Sequence, residues 1–501
     1  MSPWVYVLAA TATLLHFLFN SRYGFFRDEL YYAACGEHLA WGYVDHAPLI
    51  AVVSHVTRAV LGDSLFALRF FPALAGAAKV FLGGWIAREI GGGKFAQFLA
   101  AVTVLLAPIY LAFDNFLSMN AFEPIFWMGC VAIVLRILNG GDRRLWLLGG
   151  AIAGIGILNK HSMLFFVSGI VAGLLLSSAR RELLNQWFWW GAGVAILLVL
   201  PNLLWEMNRG WPTIALLRTV SGTKYYSVAP WDYVWQQSLL THPFCAPIWL
   251  AGLWFFFADP CGKTYRVLGW AYLVVLAEML ALHGKIYYMA PAYVMLLAAG
   301  CVWIEKQAWL GMRRWRKPAI VMTLFAGGAI VAPLAMPILP VKGAIRYSHF
   351  WNVQAIRVEN VPQDDLPQLF GDMFGWQEQV EAMAQVYQAL PAEDRRTAEI
   401  LAYNYGEAGA IDYFGRRYGL PRAMCGQNQY GFWGPDRHPT AVVVAIGFRK
   451  AELGKLFSDI VAAAHVRSQY ALPEERDLTI FVCRNPKLSL LESWPHLKYL
   501  D

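Results

Sequence analysis

Long apolar runs recur along the first two thirds of this chain of 501 residues. A helix needs about 20 apolar residues to cross a bilayer, and a helix satisfies its own backbone hydrogen bonds inside the hydrocarbon. The chain carries about eleven such runs, some of them short for a crossing. They predict an all-α membrane domain that crosses the bilayer many times. The runs cover residues 4–20, 64–87, 95–112, 122–138, 145–158, 163–177, 187–205, 246–257, 267–282, 287–304 and 318–338.

The composition agrees with a membrane architecture. Hydrophobic residues make up 58% of the chain and charged residues 15%, whereas charged residues approach about a quarter of an ordinary soluble domain. An ordinary soluble globular protein is therefore excluded. The net charge of +7 reflects where basic residues sit in the loops, and we expect no nucleic-acid partner.

Basic residues fall on alternate connections between the runs. Because Lys and Arg are retained on the cytoplasmic side of a membrane, this pattern predicts a cytoplasmic N-terminus and an external location for the residues after Pro340. The first run has no basic segment before it and no cleavage site, which predicts an uncleaved anchor. The expected localisation is a bacterial inner membrane, with the C-terminal residues in the periplasm. The basic connections hold Arg88 and Lys94, residues 136–144, Arg180 and Arg181, Lys263 and Arg266, and residues 306–317.

The hydrophobic density falls after Pro340, and acidic and basic residues become roughly balanced. Residues 341–501 are therefore predicted to form a soluble α/β domain that follows a membrane domain of residues 1–340. Short runs favour strands in some places, and helical spacing is present in others. The predicted strands cover 400–403, 441–446 and 478–482, and the predicted helices cover 407–418 and 449–463.

Two cysteines of this C-terminal region, Cys425 and Cys483, admit two interpretations. An oxidising compartment would permit a disulfide between them. Two unpaired, buried thiols are the equal alternative.

Two segments of the same region, 404–415 and 425–435, are dense in Gly, Asn and aromatic residues. They have the composition of loops that recognise an acceptor, or of tight turns with aromatic core residues.

The connection between the first two runs, residues 21–63, is unusually long and polar. Residues 28–42 and 46–62 carry helical spacing and predict two amphipathic helices at the membrane interface. These helices would hold Asp28 and Asp45 near the headgroups.

Further polar residues are predicted at the same external face. They come from the ends of several runs: Asp114, Asn120, Glu123, Lys160, His161, His242, Lys285, Tyr287 and Tyr288. Ionisable residues at this depth are costly unless they function. The cluster is therefore typical of an ion pathway or of a reaction centre for an anionic, lipid-linked molecule. Structural ion pairs between helix ends remain the alternative.

If the anionic, lipid-linked molecule is a polyprenyl-phosphate sugar, its inverting transfer to an acceptor would make two demands on such a site. The departing phosphate gains negative charge, so cations must surround it. Arg27, His46, Lys160 and Lys285 are the candidates. The acceptor hydroxyl must also lose its proton, and a carboxylate serves as the general base. Asp28 and Glu29 are the candidates for this role, and adjacent helical residues point about 100° apart, so only one can face the site.

Four segments in register resemble a known family. The family comprises bacterial glycosyltransferases of the C-type (GT-C) fold, related to protein O-mannosyltransferases and to the lipid A aminoarabinose and galacturonic acid transferases. The resemblance implies a membrane glycosyltransferase that uses a polyprenyl-phosphate sugar and a lipid, glycan or protein acceptor. The segments are FRDELYYAACGEHLAWGYVDHAPL, LSMNAFEPIFW, GILNKHSMLF and HGKIYYMAPAYVMLLAAG.

The resemblance also implies residue roles. Asp28 matches the catalytic acidic residue of the family, and Asp45 and His46 match an acidic and basic pair before a proline. Because some relatives bind metal at the acidic position, Asp45 with His242 is a candidate site for a divalent ion. The positions of Lys160 and Lys285 face the lipid phosphate in the family, and Tyr288 follows in the same motif.

The chain departs from the family at one position. Relatives usually carry Asp where this chain has Asn120. Either Glu123 takes over its role, or the role is missing.

Two alternatives stay open. A transporter of lipid-linked sugars should show repeats with broken helices that meet at mid-membrane, whereas the polar residues here gather at one face. The residues Trp41, Tyr43, Trp211 and Tyr225 are predicted to belong to the interfacial aromatic belt, with sugar stacking as the alternative. The sequence identifies neither the sugar nor the acceptor.

Overall fold

A computed structural model describes residues 1–223, 228–307, 313–353, 364–435 and 441–501. Tyr225 lies outside these residues. The described chain is mostly helical, with a sheet confined to its C-terminal region. This arrangement confirms the predicted helical membrane fold.

All eleven apolar runs lie in helices. The α-helices of the first two thirds are Pro3–Phe19, Arg27–Glu37, Leu49–Leu61, Leu65–Leu68, Phe70–Glu89, Lys94–Leu106, Pro108–Phe113, Met119–Leu138, Leu145–Asn159, Met163–Leu175, Gln186–Asn208, Pro212–Thr223, Pro230–Leu240, Ala246–Phe257, Arg266–Ala281, Ala290–Glu305 and Arg316–Ala335. Short 3₁₀ helices at Ser178–Leu184, Pro243–Cys245, Pro260–Tyr265 and Ile286–Met289 connect several of them.

Fewer helices than expected are long enough to cross a bilayer. Among the described residues, six helices meet the length and apolarity of a span, and up to eight do if two sharply bent pairs are each counted as one. The expected number of about eleven is larger because three apolar runs form shorter helices. Run 95–112, for example, is broken before Pro108, where Ala107 is extended (φ −68°, ψ 119°). The residue before a proline disfavours the helical conformation, which explains the break.

Two helices form the connection between the first two apolar runs, as predicted. We call residues 21–63 the first connection, Arg27–Glu37 the loop helix and Leu49–Leu61 the second loop helix. The loop helix is buried along most of its length. It therefore does not lie at the membrane interface with a single buried face, as was predicted for an amphipathic helix. The second loop helix buries one face and exposes Val52, Val56 and Val60 on another, as expected of an amphipathic helix.

The C-terminal unit, which we define as the described residues 364–435 and 441–501, is an α/β structure. Its strands are β1 (Glu399–Ala402), β2 (Ala423–Cys425), β3 (Val442–Ile446), β4 (Phe457–Arg467) and β5 (Asp477–Pro486). They form a sheet of order β2-β1-β3-β5-β4, in which β1 is parallel to β2 and β3, and β5 is antiparallel to β3 and β4. Its α-helices are Gln368–Gly371, Trp376–Gln388, Ala392–Thr397, Tyr405–Phe414, Asn428–Trp433, Lys450–Leu456 and Leu490–Leu497, and Val341–Phe350 precedes the unit.

The three predicted strands of this region are confirmed, but the helix predicted over 449–463 is wrong beyond Leu456. From Phe457 the chain forms β4, which pairs antiparallel with β5 over its whole length. This pairing overrides the local helical spacing, because strand formation depends on neighbours more than on intrinsic preference.

The Gly-rich and aromatic segments do not form loops. Segment 404–415 is largely the helix Tyr405–Phe414, and segment 425–435 contains the helix Asn428–Trp433.

Cys425 and Cys483 are both buried and unpaired, which agrees with the alternative of two free thiols.

The first connection and the C-terminal unit share one hydrophobic core. Leu30 and Tyr31 of the loop helix belong to the same buried cluster as Trp376, Val444 and Tyr430. The helix Tyr405–Phe414 lies directly against the loop helix. The C-terminal unit therefore holds the loop helix in place.

Candidate active site

Three consecutive charged residues, Arg27, Asp28 and Glu29, begin the loop helix. Because they point in directions about 100° apart, each one meets a different part of the protein. The different surroundings of Asp28 and Glu29 distinguish the roles of these two candidate carboxylates.

Glu29 is a structural ion-pair partner. Arg69 donates to its carboxylate from Nε at 2.9 Å and from Nη2 at 2.8 Å, and both side chains are 0% exposed. The backbone amides of Leu117 and Phe26 donate to the same carboxylate at 2.9 and 2.8 Å. Glu29 thus fixes the start of the loop helix against the membrane helices.

Arg27 points to the C-terminal unit. Its Nε lies 3.1 Å from Asp372 Oδ1, and its Nη2 lies 3.3 Å from Glu474 Oε1 and 3.8 Å from Glu475 Oε1. Three carboxylates around one guanidinium compensate its charge and would repel a phosphate. The prediction that Arg27 binds the donor phosphate does not fit this placement.

Asp28 lies between these two anchored residues. Tyr405 of the C-terminal unit donates a hydrogen bond from its hydroxyl to Asp28 Oδ1 at 3.0 Å. On the next turn of the loop helix, burial raises the pKa of the Tyr32 hydroxyl well above 10, and Asp28, Asp45 and Tyr287 raise it further. The charges of Asp28, Asp45 and Tyr287 therefore all act on the Tyr32 hydroxyl.

Asp45 is held by hydrogen bonds from two sides. The Tyr31 hydroxyl donates to Oδ1 at 2.8 Å, and Asn428 Nδ2 of the C-terminal unit donates to Oδ2 at 3.3 Å. These contacts fix the loop that carries His46.

His46 is buried in an aromatic cage. Its ring stacks on Tyr43 with 4.5 Å between the centroids and meets the rings of Tyr31 and Tyr32 edge-on at 5.7 and 5.1 Å. Burial lowers the pKa of His46, which favours the neutral imidazole at pH 7. His46 is then a hydrogen-bonding group rather than the cation predicted from the sequence.

Lys160, Asn120 and Glu123, which come from the ends of two different helices, are in direct contact. Lys160 Nζ donates to Asn120 Oδ1 at 2.8 Å and to Glu123 Oε2 at 2.9 Å. The Ser162 hydroxyl also donates to Glu123. Tyr288 covers the ammonium group at 4.4 Å from its ring centroid. Since Asn120 is neutral, Lys160 is paired with one carboxylate rather than two.

Lys285 lies close to this group. The ammonium groups of Lys160 and Lys285 are each 5.8 Å from the centroid of one ring, that of Tyr287. Tyr287 is also one of the groups that raise the pKa of Tyr32, beside Asp28. The two cations thus share the ring of Tyr287, and the charges of Tyr287 and Asp28 both act on the Tyr32 hydroxyl.

The predicted metal pair of Asp45 and His242 does not fit the structure. His242 Nδ1 accepts a hydrogen bond from the Phe244 amide at 3.1 Å. Its Nε2 packs against the helix Arg316–Ala335, where a Cβ on Gly327 would lie only 2.1 Å away. Among the residues that the structure describes, no group of three or more His, Cys, Asp or Glu side chains is arranged to hold a metal ion.

Asp114, which the sequence placed at the site, instead forms a buried ion pair with Lys79. Sequence reasoning missed Lys79 and Arg69 as partners, although a charged residue inside an apolar run is itself a signal. It did not single out Tyr405 and Asn428, although they lie in segments 404–415 and 425–435, whose composition is that of acceptor-recognising loops.

Part of the chain is similar in sequence to known proteins. Residues 45–205 match the model of the dolichyl-phosphate-mannose-protein mannosyltransferase family. A lipid A galacturonosyltransferase, RgtD of Rhizobium johnstonii, is 28% identical over 200 residues, which are 38% of this chain and 40% of that protein. The chain thus aligns with less than half of this curated relative.

Solved structures match nearly the whole chain. The structure of ArnT from Cupriavidus metallidurans bound to undecaprenyl phosphate superposes with a TM-score of 0.65 and 14% identity, over 96% of this chain and 98% of that one. The arabinofuranosyltransferase AftD from Mycobacteria gives a TM-score of 0.54 and 14% identity, over 97% of this chain and 40% of that one. The chain shares the fold of these glycosyltransferase structures, and 200 of its residues are similar in sequence to the galacturonosyltransferase.

Proposed function

We propose that this chain is an inverting membrane glycosyltransferase. It transfers a sugar from a polyprenyl-phosphate donor to a lipid, glycan or protein acceptor. One observation carries the proposal: the ammonium groups of Lys160 and Lys285 approach one ring, that of Tyr287, and the charges of Asp28 and Tyr287 both act on the Tyr32 hydroxyl. The fold shared with glycosyltransferases supports it.

The reaction assigns a separate task to each of these groups. The acceptor hydroxyl attacks the anomeric carbon, and the bond from that carbon to the phosphate oxygen breaks. Asp28 takes the hydroxyl proton as general base. The polyprenyl phosphate leaves with one more negative charge, which Lys160 and Lys285 stabilise in the transition state.

Asn120 adjusts the charge balance of this arrangement. A second carboxylate at its position would compensate the Lys160 charge more fully, because opposite charges within about 4 Å interact strongly at low dielectric. With an amide in that place, Lys160 keeps more of its positive field for the phosphate. We therefore assign Glu123 to positioning Lys160, a role in which Ser162 supports it.

The relatives suggest the class of the two substrates. RgtD is named as a lipid A galacturonosyltransferase, and ArnT was solved with undecaprenyl phosphate. We propose an undecaprenyl-phosphate sugar as donor and a lipid of the lipid A class as acceptor. The three groups assigned to this chemistry, Asp28, Lys160 and Lys285, do not require a metal ion for these roles.

A transporter of lipid-linked sugars is the weaker proposal. Transport requires a site that opens to both sides near mid-membrane. The candidate site instead lies under the C-terminal unit, through the Tyr405–Asp28 and Asn428–Asp45 contacts.

Incubation of the purified protein with a panel of radiolabelled undecaprenyl-phosphate sugars and membrane lipids tests the function. Transfer of label to a lipid supports an enzyme. Binding of donors without transfer to any acceptor, together with donor exchange across vesicle membranes, would favour the transporter.

Charge removal at the two lysines should slow the chemical step. For Lys160→Met and Lys285→Met we expect turnover to fall by about two orders of magnitude, as on removal of one transition-state donor. Steady-state transfer assays measure the change.

The matched control is Lys263→Met, a substitution at an exposed lysine of the 3₁₀ helix Pro260–Tyr265. Because Lys160→Met also leaves Glu123 without its ammonium partner, the double variant with Glu123→Gln separates loss of stability from loss of turnover. Full turnover in both lysine variants would contradict the assigned role.

Orientation in the membrane can be tested with a native cysteine. Among the seven cysteines, Cys261 is exposed and the others are buried. We propose that Cys261 is cytoplasmic because it lies in a basic connection, and that β4 is periplasmic. A membrane-impermeant thiol reagent on intact spheroplasts should leave the wild type unlabelled and label Ser458→Cys, a substitution at an exposed position of β4.

Permeabilised spheroplasts should label the wild type, and Cys261→Ser should remove that signal. Labelling of Cys261 in intact spheroplasts would mean that the orientation is inverted.

A further inference from the structure

The C-terminal unit contributes a side chain to the candidate site across a large distance in sequence. Tyr405 and Asp28 are 377 residues apart, and their hydroxyl and carboxylate are 3.0 Å apart. The ring of Tyr405 also packs on Tyr31 of the loop helix, with 4.6 Å between the centroids.

Hydrogen bonds of the backbone at and around Tyr405 fix the position of this residue. It is the first residue of the helix Tyr405–Phe414, which begins with a reciprocal cap between Asn404 and Glu407. The Tyr405 amide donates to Gln427 Oε1 at 2.8 Å. A capped first turn leaves the tyrosine little freedom to move away from the loop helix.

Two glycines bring this helix unusually close to the loop helix. A Cβ on Gly409 would lie 2.9 Å from the carbonyl carbon of Leu30, and a Cβ on Gly406 would lie 2.7 Å from Cγ of Arg27. Larger residues would push the two helices apart. The close approach places the Tyr405 hydroxyl within hydrogen-bond distance of Asp28.

The hydroxyl acts as a donor at neutral pH. Burial raises the pKa of Tyr405 well above 10, and the nearby Asp28 carboxylate raises it further. A protonated phenol next to a carboxylate donates to it, and such charge-assisted bonds are stronger than neutral ones.

We propose that Tyr405 is a positioning residue that holds the Asp28 carboxylate in the orientation in which it accepts the proton of the acceptor hydroxyl. This inference rests on the proposed glycosyltransferase function and extends the active site into the C-terminal unit. Asn428, which donates to Asp45, gives a second contact of the same kind.

The variant that tests this role is Tyr405→Phe in the full chain, which keeps the ring against Tyr31 and removes the hydroxyl. We expect kcat to fall about 10- to 100-fold, the loss associated with one hydrogen bond to a charged group. KM for the radiolabelled undecaprenyl-phosphate sugar that the wild type uses should stay unchanged, because the lysines and not Tyr405 hold the phosphate.

The matched control is Tyr430→Phe. Tyr430 is also buried in the C-terminal unit, but its hydroxyl donates to Asp412 at 2.7 Å. It should lose a comparable amount of thermal stability and keep the wild-type kcat. Thermal unfolding of both variants in detergent shows whether their stabilities are comparable.

The outcomes distinguish this inference from the proposed function. A kcat of Tyr405→Phe equal to that of the wild type, or an equal fall in Tyr430→Phe, would overturn the positioning role while leaving the function intact. A wild type that transfers no sugar from any donor of the panel would overturn both.

Discussion

Asp28→Asn should slow sugar transfer by orders of magnitude while the variant still folds and binds donor. An amide keeps the size of the carboxylate and can still accept from the Tyr405 hydroxyl, but it cannot take a proton at neutral pH. Because a general base contributes about 10²- to 10⁴-fold to a rate, we expect kcat to fall by that factor. Transfer from a radiolabelled undecaprenyl-phosphate sugar measures kcat, and binding of undecaprenyl phosphate is expected to be unchanged.

Glu29→Gln is the matched control, since it makes the same change at the adjacent residue. Glu29 is fully buried in its pair with Arg69, so this variant should lower the yield of folded protein. Turnover per folded molecule should stay close to that of the wild type. An inactive Glu29→Gln beside an active Asp28→Asn would mean that the other carboxylate is the base.

Arg69→Leu should strongly destabilise the fold. It leaves the Glu29 carboxylate buried at 0% exposure without its guanidinium partner, and removing one partner of a buried pair costs about 3–5 kcal/mol. Three backbone carbonyls that accept from Arg69, those of Asn20, Arg22 and Gly24, lose their donor as well. Denaturant unfolding in detergent, with the wild type alongside, measures the loss.

An exposed ion pair provides the comparison. Arg143 pairs with Glu182 at 3.1 Å, and its side chain is 59% exposed. Arg143→Leu should cost no more than about 1 kcal/mol. If Arg69→Leu unfolds at the same denaturant concentration as Arg143→Leu, the buried pair is not what anchors the loop helix.

Local patterns in the sequence predicted the parts of the protein that form from local interactions. The helices of the apolar runs and the loop helix follow from the spacing of apolar residues. The strands β1, β3 and β5 follow from short β-prone runs.

Other features depend on distant partners and could not be predicted in this way. The segment after Leu456 becomes β4 because β5 is available to pair with it. Arg27 pairs with carboxylates of the C-terminal unit because the fold brings those carboxylates beside it. Burial lowers the pKa of His46, and neither the residue type nor its spacing in the sequence reveals that burial. Each of these outcomes is set by tertiary packing, which overrides local preference.

The core shared by the first connection and the C-terminal unit also bears on biosynthesis. Domains generally fold in order as the chain is made, at about 5–20 residues per second. The loop helix emerges early, but Gly409 and Tyr405, which pack against it, are made hundreds of residues later. During that interval Leu30 and Tyr31 lack the partners that bury them. The candidate site therefore stays incomplete until the helix Tyr405–Phe414 has been made and has packed against the loop helix.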